Sequence, residues 1–317
     1  MDLTDKKILC ELDLNCRTPI SKLAKKLRIS RDIAAYRINR LEKEGIIINY
    51  LCSINLAKLR YKTYKLYFKL WSNNKEEEFV KKLSNDKRVI HFLKTEGDFD
   101  YSLSVATMTV MDLDDFIMEL KNEFSVLIKD YLVSIVIYSK VFKLNKLLLN
   151  QTSSDLKFEK HQGRVERVYI DEKDKKILNE LSQSANLPIV DLAKKTKLSI
   201  DVIKYRLKKL EKELINTYRI RLNFNKLGYY HYVIMIKTIK LDHENEEKLF
   251  SWCSKKHEVI FCTKRVGNYD LEVNAAIRNI EELNKFLKEL KSEFSDIIDS
   301  YNMIINSELL RLNYIPF

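Results

Sequence analysis

The sequence predicts an α+β fold made of two copies of one module, in which a domain of three short helices precedes a domain of βαββαβ order. Two matches indicate the duplication. The segment DKKIL at residues 5–9 recurs at residues 174–178, and GDFD at residues 97–100 is matched by GNYD at residues 267–270. A repeat of this length indicates a duplicated module, not a solenoid of short repeats.

The chain is long and basic. Its 317 residues exceed what one small core requires, so we expect two or more domains. With 57 Lys and Arg against 45 Asp and Glu, the formal net charge is +12, which favours nucleic acid as a partner and, second, an anionic membrane surface. A composition biased toward lysine by an A/T-rich genome would produce the same excess.

The cysteines and the apolar runs indicate a cytoplasmic protein. The five cysteines contain no C-x-x-C pair, which argues against a disulfide framework or a zinc site. They are Cys10, Cys16, Cys52, Cys253 and Cys262. No apolar run approaches membrane-spanning length, and the charged start of the chain, MDLTDKKIL, is unlike a secretory signal.

Each copy opens with a predicted helix-turn-helix domain. Asp2 and Asp171 are placed to cap the first helix of each copy, and Pro19 and Pro188 fit the first turn of the second helix. The third helix of the first copy lies in residues 23–47, LAKKLRISRDIAAYRINRLEKEGII. Its apolar stripe consists of Ala34, Ile38 and Leu41. Three short helices of this kind form a helix-turn-helix domain.

The two third helices are predicted to end differently. Gly45 supplies a left-handed residue after the first of them. The second copy has Leu214 in the corresponding region, so we expect Asn216 to adopt the left-handed conformation there.

The outer face of each third helix carries side chains that suit a DNA major groove. In the first copy these are Ser30, Arg31, Asp32, Tyr36, Asn39 and Arg40. In the second copy they are Ser199, Lys204, Tyr205, Lys208 and Lys209. Arg and Asn can donate to base edges, whereas lysines suit phosphates, so we expect two unequal readers and an asymmetric DNA site. A solvated, charged helix face is the alternative.

A ferredoxin-like sheet domain is predicted to follow each helical domain. In the first copy we expect a strand at 64–70, a helix at 76–83, strands at 88–96 and 101–106, a helix at 111–124 and a strand at 128–141. The second copy repeats this order over residues 230–306. One face of each sheet lacks a helix cover, so we expect the sheet of the other copy to cover it.

Each half resembles the Lrp/AsnC family of feast/famine transcriptional regulators. The resemblance rests on the spaced Asp, Ile and Leu of residues 2–12 and 170–181, on LEKEGI at residues 41–46 and on GDFDY at residues 97–101. It implies a winged-helix-like DNA-binding domain, then a ligand-sensing and dimerisation domain of ACT-like topology. It also implies that small effectors, commonly amino acids, bind between subunits near the Gly-Asp turn.

The resemblance assigns boundaries to the two copies. We expect DNA-binding domains at residues 1–50 and 169–219, and sensing domains at residues 51–141 and 220–317. A linker at residues 142–168 is long enough for the two halves to form an intrachain pseudo-dimer, and a homo-oligomer of whole chains is also implied.

The turns between the central strands of each sheet are candidate effector sites. A glycine exposes backbone N–H groups and nearby carboxylates can pair with an ammonium, as an amino-acid zwitterion requires. The residues concerned are Gly97, Asp98, Asp100, Gly267, Asn268 and Asp270. A plain hairpin turn has the same composition and is the alternative.

The sequence predicts a DNA-binding regulator and no enzyme, no cofactor and no metal. The histidines are scattered, and we expect each on the surface or in ordinary packing. They are His91, His161, His231, His243 and His257. Two alternatives remain: an enzyme resembling the siroheme decarboxylases, which share the double Lrp-like architecture, and an amino-acid sensor that does not bind DNA.

Overall fold

The computed structural model describes residues 1–72, 74–151, 157–160 and 165–317, the backbone alone being described for 157–160. His161 therefore lies outside the described residues. The first helix-turn-helix domain consists of α1 (Leu3–Leu14), α2 (Ile20–Leu27) and α3 (Arg31–Lys43). Strand β1 (Ile47–Ile54) follows directly and crosses the boundary predicted after residue 50.

The first sheet domain has the predicted βαββαβ order. Its elements are β2 (Lys62–Leu70), α4 (Glu76–Asn85), β3 (Val89–Gly97), β4 (Tyr101–Thr107), α5 (Val110–Phe124) and β5 (Ile128–Val141). The predicted linker contains a short helix and a short strand, α6 (Leu144–Leu149) and β6 (Lys157–Lys160).

The second copy repeats the first, helix-turn-helix domain before sheet domain. Its helical part consists of α7 (Glu172–Gln183), α8 (Ile189–Thr196) and α9 (Ile200–Glu213). Its strands and covering helices are β7 (Ile215–Leu222), β8 (Tyr230–Thr238), α10 (His243–Lys255), β9 (Val259–Val266), β10 (Leu271–Ile277), α11 (Ile280–Glu293) and β11 (Ile298–Leu312). No helix in the described ranges is long and apolar enough to cross a membrane.

The helix starts follow from the capping residues identified in the sequence. The Asp2 carboxylate accepts from the backbone of Asp5, and the Asp5 carboxylate accepts from the backbone of Asp2. Asp171 and Asp174 form the same reciprocal capping box at the start of α7. These bonds satisfy backbone N–H groups that have no partner inside the helix.

The end of α9 differs from the prediction. Gly45 ends the first recognition helix with φ +66°, as expected. In the second copy Leu214 ends α9 with φ −127°, and Asn216 lies within β7. The prediction of a left-handed conformation at Asn216 was therefore wrong. The side chain of Leu214 is buried and its carbonyl accepts from the Asn55 N–H at 2.9 Å, which leads the chain directly into the strand.

The two sheets form one closed ring of eight strands. Along the ring the order is β2-β4-β3-β11-β8-β10-β9-β5, and β5 pairs again with β2. The first half of β5 pairs with β2 of its own copy and the second half with β9 of the other copy. Strand β11 pairs in the same way with β8 and then β3. The copies are therefore joined at their sheet edges as an intrachain pseudo-dimer.

Helices cover the outside of this ring. Phe79 of α4 and Phe116 of α5 pack with Leu66 and Phe68 of β2 in one fully buried cluster. Helices α10 and α11 cover the second sheet in an equivalent cluster. Inside the ring, Tyr67 of β2 contributes to a small cluster with residues of β8, so the inner faces of the two copies cover each other as predicted.

A second pairing joins the two helix-turn-helix domains. Strands β1 and β7 form a two-stranded antiparallel ribbon. The Arg219 guanidinium of β7 pairs with the Asp13 carboxylate of α1 at 2.7 Å. The Arg17 guanidinium donates to the carbonyls of Ala185 and Leu187 at 2.6 and 2.9 Å. These contacts fix the two helical domains to each other.

The close approach of the copies predicts a difference between two glycines. A Cβ at Gly267, where φ is +150°, would lie 2.9 Å from the Cβ of Ser134 and 3.1 Å from the carbonyl oxygen of Val133, whereas a Cβ at Gly228 meets nothing within 4 Å. We expect Gly267→Ala to lower the free energy of unfolding by about 2–5 kcal/mol, from strain and overpacking together. The control Gly228→Ala, strained only by its positive φ, should lower it by about 1 kcal/mol. Equal losses in urea denaturation would contradict the packed interface.

Candidate DNA-binding helices and central cavity

The recognition helix of the first copy presents most of its predicted residues to solvent. Arg31, Asp32, Tyr36 and Asn39 are exposed on α3. Ser30 caps the helix, its hydroxyl accepting from the Ile33 N–H at 3.1 Å. The exposed face therefore combines one guanidinium, one carboxylate, one amide and one phenol ring, of which the guanidinium, amide and phenol can donate to base edges or phosphates.

Arg40 has a structural partner. Its guanidinium lies 2.6 Å from the carboxylate of Asp5, a residue 1% exposed, and 3.6 Å from that of Glu44. Arg37 binds the other oxygen of Asp5 at 2.8 Å. These pairs hold α3 against α1. Arg40 is therefore engaged in contacts with α1 and does not belong to the free face of the helix.

The recognition helix of the second copy is lysine-rich. Lys204, Tyr205, Lys208 and Lys209 are exposed on α9, and Ser199 caps it by accepting from the backbone N–H of Val202. Arg206 alone pairs with Asp174, so Lys209, at the position of Arg40, remains on the surface. The two faces thus differ in chemistry as the sequence predicts.

The glycine turns lie at the junction of the two copies. A Cβ at Gly97 would meet the carbonyl oxygen of Met303 on β11 at 3.1 Å, and Gly267 lies equally close to β5. The Asp98 carboxylate accepts from the side-chain amide of Asn302 on β11. The structure therefore brings each predicted effector turn against a strand of the opposite copy.

The turn carboxylates are already bound within the chain. The Asp100 carboxylate accepts from the Leu70 N–H at 2.7 Å, and the Asp270 carboxylate accepts from the N–H and hydroxyl of Thr238, both at 2.9 Å. Asn268 is exposed. These bonds hold the ends of the strands and leave Asp100 and Asp270 less available to an ammonium group.

A cavity of about 200 Å³ lies between the ring and the β1–β7 ribbon. Sequence reasoning missed it. Its wall includes Ser53 of β1, Arg221 of β7, and Lys65, His91 and Asn306 of the ring. One signal was present: Tyr64, Leu66 and Phe68 face the helices, so the residues between them, Lys65 and Tyr67, must face inward.

A charged network lies beside this cavity. The Arg265 guanidinium pairs with the Glu272 carboxylate and donates to the Tyr67 hydroxyl at 2.8 Å. The Tyr67 hydroxyl donates to Glu272, and the Asn274 amide donates to the other Glu272 oxygen at 2.7 Å. The network therefore satisfies the buried carboxylate from three sides.

Two histidines, His91 and His231, belong to this region. The His91 ring lines the cavity, and burial, with the charges of Lys65 and Arg221, lowers its pKa well below the usual value. His231 lies behind the wall, its Nε2 2.9 Å from the Asn274 amide oxygen. His243 and His257 are exposed as predicted. No group of three or more His, Cys, Asp or Glu side chains in the described ranges is placed to hold a metal.

Known proteins match both parts of this architecture. A family model described as winged helix-turn-helix DNA-binding matches residues 1–48 and 170–213. The HTH-type transcriptional regulator FL11 of Pyrococcus abyssi is 31% identical over 127 residues, covering 83% of that protein and 40% of this chain. LrpA of Pyrococcus horikoshii is 41% identical over 93 residues, 62% of its length and 29% of this chain. The chain belongs to the Lrp/AsnC family.

The tandem arrangement of this Lrp/AsnC protein also has a solved counterpart. The crystal structure of the siroheme decarboxylase NirDL matches with a TM-score of 0.64, covering 99% of this chain and 94% of that chain at 16% sequence identity. The likeness establishes a shared double fold. The relatives matched by sequence correspond to about half of this chain, as a duplicated family member requires.

The buried histidine predicts a loss of stability in mild acid. Burial, chiefly, lowers the pKa of His231 from 6.5 to about 3. Below pH 6.5 the imidazole of His231 binds a proton in the unfolded chain but not in the folded chain. The free energy of unfolding should therefore fall by about 2 kcal/mol between pH 6.5 and pH 5 from this residue. Urea denaturation of His231→Gln should show a smaller fall over that interval. The exposed His243→Gln should keep the wild-type fall, and a result in which both variants behave alike would contradict the assignment.

Proposed function

We propose that the chain is a sequence-specific transcriptional regulator of the Lrp/AsnC type in which one polypeptide supplies both halves of the DNA-binding dimer. The observation that carries this proposal is a pair of capped, exposed recognition helices whose domains are joined by the β1–β7 ribbon. Dimeric helix-turn-helix proteins read two half-sites about one DNA turn, or a multiple of it, apart.

Charge supports DNA as the partner. The formal net charge is +12, and α9 adds exposed lysines to its recognition face. Phosphate contacts supply most of the affinity that does not depend on sequence, and base contacts supply the discrimination. We assign base recognition mainly to Arg31 and Asn39 of α3 and phosphate binding mainly to Lys204 and Lys208 of α9.

A small effector is part of the proposal. The two copies meet where β3 pairs with β11 and where β5 pairs with β9, and the glycine turns lie at these two junctions. Effectors of Lrp/AsnC proteins are expected to bind at such junctions. An amino acid or similar molecule at the interface of the sheet domains would act on both copies at once. We also propose that whole chains associate further as homo-oligomers.

A siroheme-decarboxylase-like enzyme is the second candidate, and the cavity is the observation that favours it. His91, Lys65 and Arg221 could face the carboxylates of a tetrapyrrole. The volume of about 200 Å³ weighs against it, because pockets for drug-sized ligands span roughly 300–1,000 Å³ and a tetrapyrrole is larger than most such ligands. Incubation of the full chain with siroheme, followed by mass spectrometry, should return unchanged substrate; loss of CO₂ would establish the enzyme.

The two recognition helices predict two different defects. We expect Arg31→Ala combined with Asn39→Ala to reduce discrimination between the selected DNA and random DNA by about tenfold or more, because bidentate base contacts are lost. We expect Lys204→Ala combined with Lys208→Ala to weaken binding to all sequences alike and to reduce the log–log salt slope by about 2. Electrophoretic retention at several salt concentrations measures both quantities.

A control variant tests whether the effect of the lysines is specific to α9. Lys81→Ala combined with Lys87→Ala removes two exposed lysines near α4 and should leave retention unchanged. The prior step is selection of bound DNA from a random pool with and without amino acids. Failure to enrich any sequence, with no salt-dependent retention, would replace the regulator by a sensor that does not bind DNA.

A further inference from the structure

The regulator proposal assigns no role to the central cavity, although its wall is unusually rich in unsatisfied polar groups. Ten buried side-chain polar atoms in the described part of the chain lack a hydrogen-bond partner, and half of them line this cavity. These five are Thr63 Oγ1, His91 Nε2, Arg221 Nε, Arg265 Nε and Asn306 Oδ1. Buried polar groups are normally paired with protein atoms or ordered water, so such a concentration at one place leaves several polar groups available to a small polar molecule.

The charges of the cavity wall favour an anion as the ligand. Lys65 is 6% exposed, and among the described residues its ammonium has only the Tyr67 ring, 5.5 Å from the ring centre, and no ion pair. Arg221 likewise has no ion-pair partner within the described ranges. A buried cation is normally paired because the desolvation of an isolated charge is unfavourable.

The carboxylates of the cavity wall, those of Glu272 and Asp13, already have partners within the chain. Glu272 is bound by Arg265, Tyr67 and Asn274, and Asp13 by Arg219 and by the Leu144 N–H at 3.2 Å. Two basic side chains, Lys65 and Arg221, are therefore left without a carboxylate partner among the described residues. Burial, chiefly, and the nearby charge of Arg265 lower the pKa of Lys65 well below its usual value, so a carboxylate beside it would stabilise its protonated form.

We propose that the cavity binds one short-chain dicarboxylate per chain, with one carboxylate at Lys65 and the other at Arg221. Both cations lie near His91, whose unpaired ring nitrogen faces the same space. The volume of about 200 Å³ equals the liquid volume of about seven water molecules, which suits a small diacid.

The duplication explains why the chain has a single such site. Lys65 is the fourth residue of β2, and the fourth residue of β8 is Val233. Arg221 is the seventh residue of β7, and the seventh residue of β1 is Ser53. Neither cation is repeated at the equivalent position of the other copy. The cavity therefore has a single pair of this kind, Lys65 with Arg221, which a symmetric dimer of identical subunits could not provide.

The position of the site connects it with DNA binding, and this step rests on the regulator proposal. Lys65 belongs to the ring, whereas Arg221 belongs to the ribbon that joins the two helix-turn-helix domains. A dianion that bridges the two cations favours the arrangement in which ring and ribbon are closest. A ligand shifts an equilibrium only by its difference in affinity between the two arrangements, and this bridge provides such a difference.

The test is isothermal titration of the full chain with succinate and glutarate, with succinamide as the neutral analogue of succinate. We expect one diacid per chain and no heat from succinamide. Lys65→Met and Arg221→Met should each weaken diacid binding at least tenfold, whereas Lys62→Met, which removes an exposed lysine of the same strand, should not. Lys65→Arg, which keeps the charge, should retain measurable binding.

Thermal unfolding provides a second measurement that does not depend on calorimetric heat. Succinate should raise the unfolding temperature of the wild type, while Lys65→Met without ligand should be at least as stable as the wild type and should no longer respond to succinate. Equal responses of the wild type and Lys65→Met, or no response to either diacid, would overturn the proposal and leave a cavity that holds water only.

DNA retention of the ligand-free chain separates the two proposals. A chain that binds succinate but no DNA would keep the dicarboxylate site and refute the regulator. A chain that binds DNA but neither diacid would do the reverse. In a chain that binds both, we expect saturating succinate to change DNA affinity at least threefold in the wild type and not in Lys65→Met; an unchanged affinity would refute the coupling of ring and ribbon.

Discussion

The closure of the eight-stranded ring is the constraint on which the other features depend. Strands β5 and β11 are long enough to complete the sheet of their own copy and then to pair with the edge strand of the other copy. An unpaired sheet edge is a site for aggregation, and these two strands remove the outer edge of both sheets. The ring also turns the polar faces of the strands inward, which creates the cavity and sets the ribbon and the recognition helices above it.

Local structure could be predicted from the sequence because local chemistry determines it. Asp2 and Asp171 cap helices as their positions indicated, and alternating residues defined the strands of both copies. The ring, the ribbon and the cavity could not be predicted, because they depend on the register between strands far apart in the chain. The end of α9 was missed for the same reason: the Leu214 carbonyl is satisfied by Asn55 of the other copy.

The candidate sites likewise combine features that the local sequence determines with features that tertiary contacts determine. The exposed faces of α3 and α9 follow from helical periodicity, but the pairing of Arg40 with Asp5 is a tertiary contact between two helices. The polar residues of the ring interior alternate with core residues and could have been placed inward from the sequence. Their meeting from both copies around one space could not, because Lys65 and Arg221 lie on strands that no local pattern relates.

Covalent duplication has a consequence for how the protein responds to its own abundance. Two identical subunits must find each other before they can present two recognition helices, so their DNA affinity falls when they are dilute. Here the ring and ribbon form within one chain, and the second half is always present at a high effective concentration. The DNA affinity of the proposed regulator would therefore not depend on a monomer–dimer equilibrium of its two halves, which suits a protein maintained at very few copies per cell.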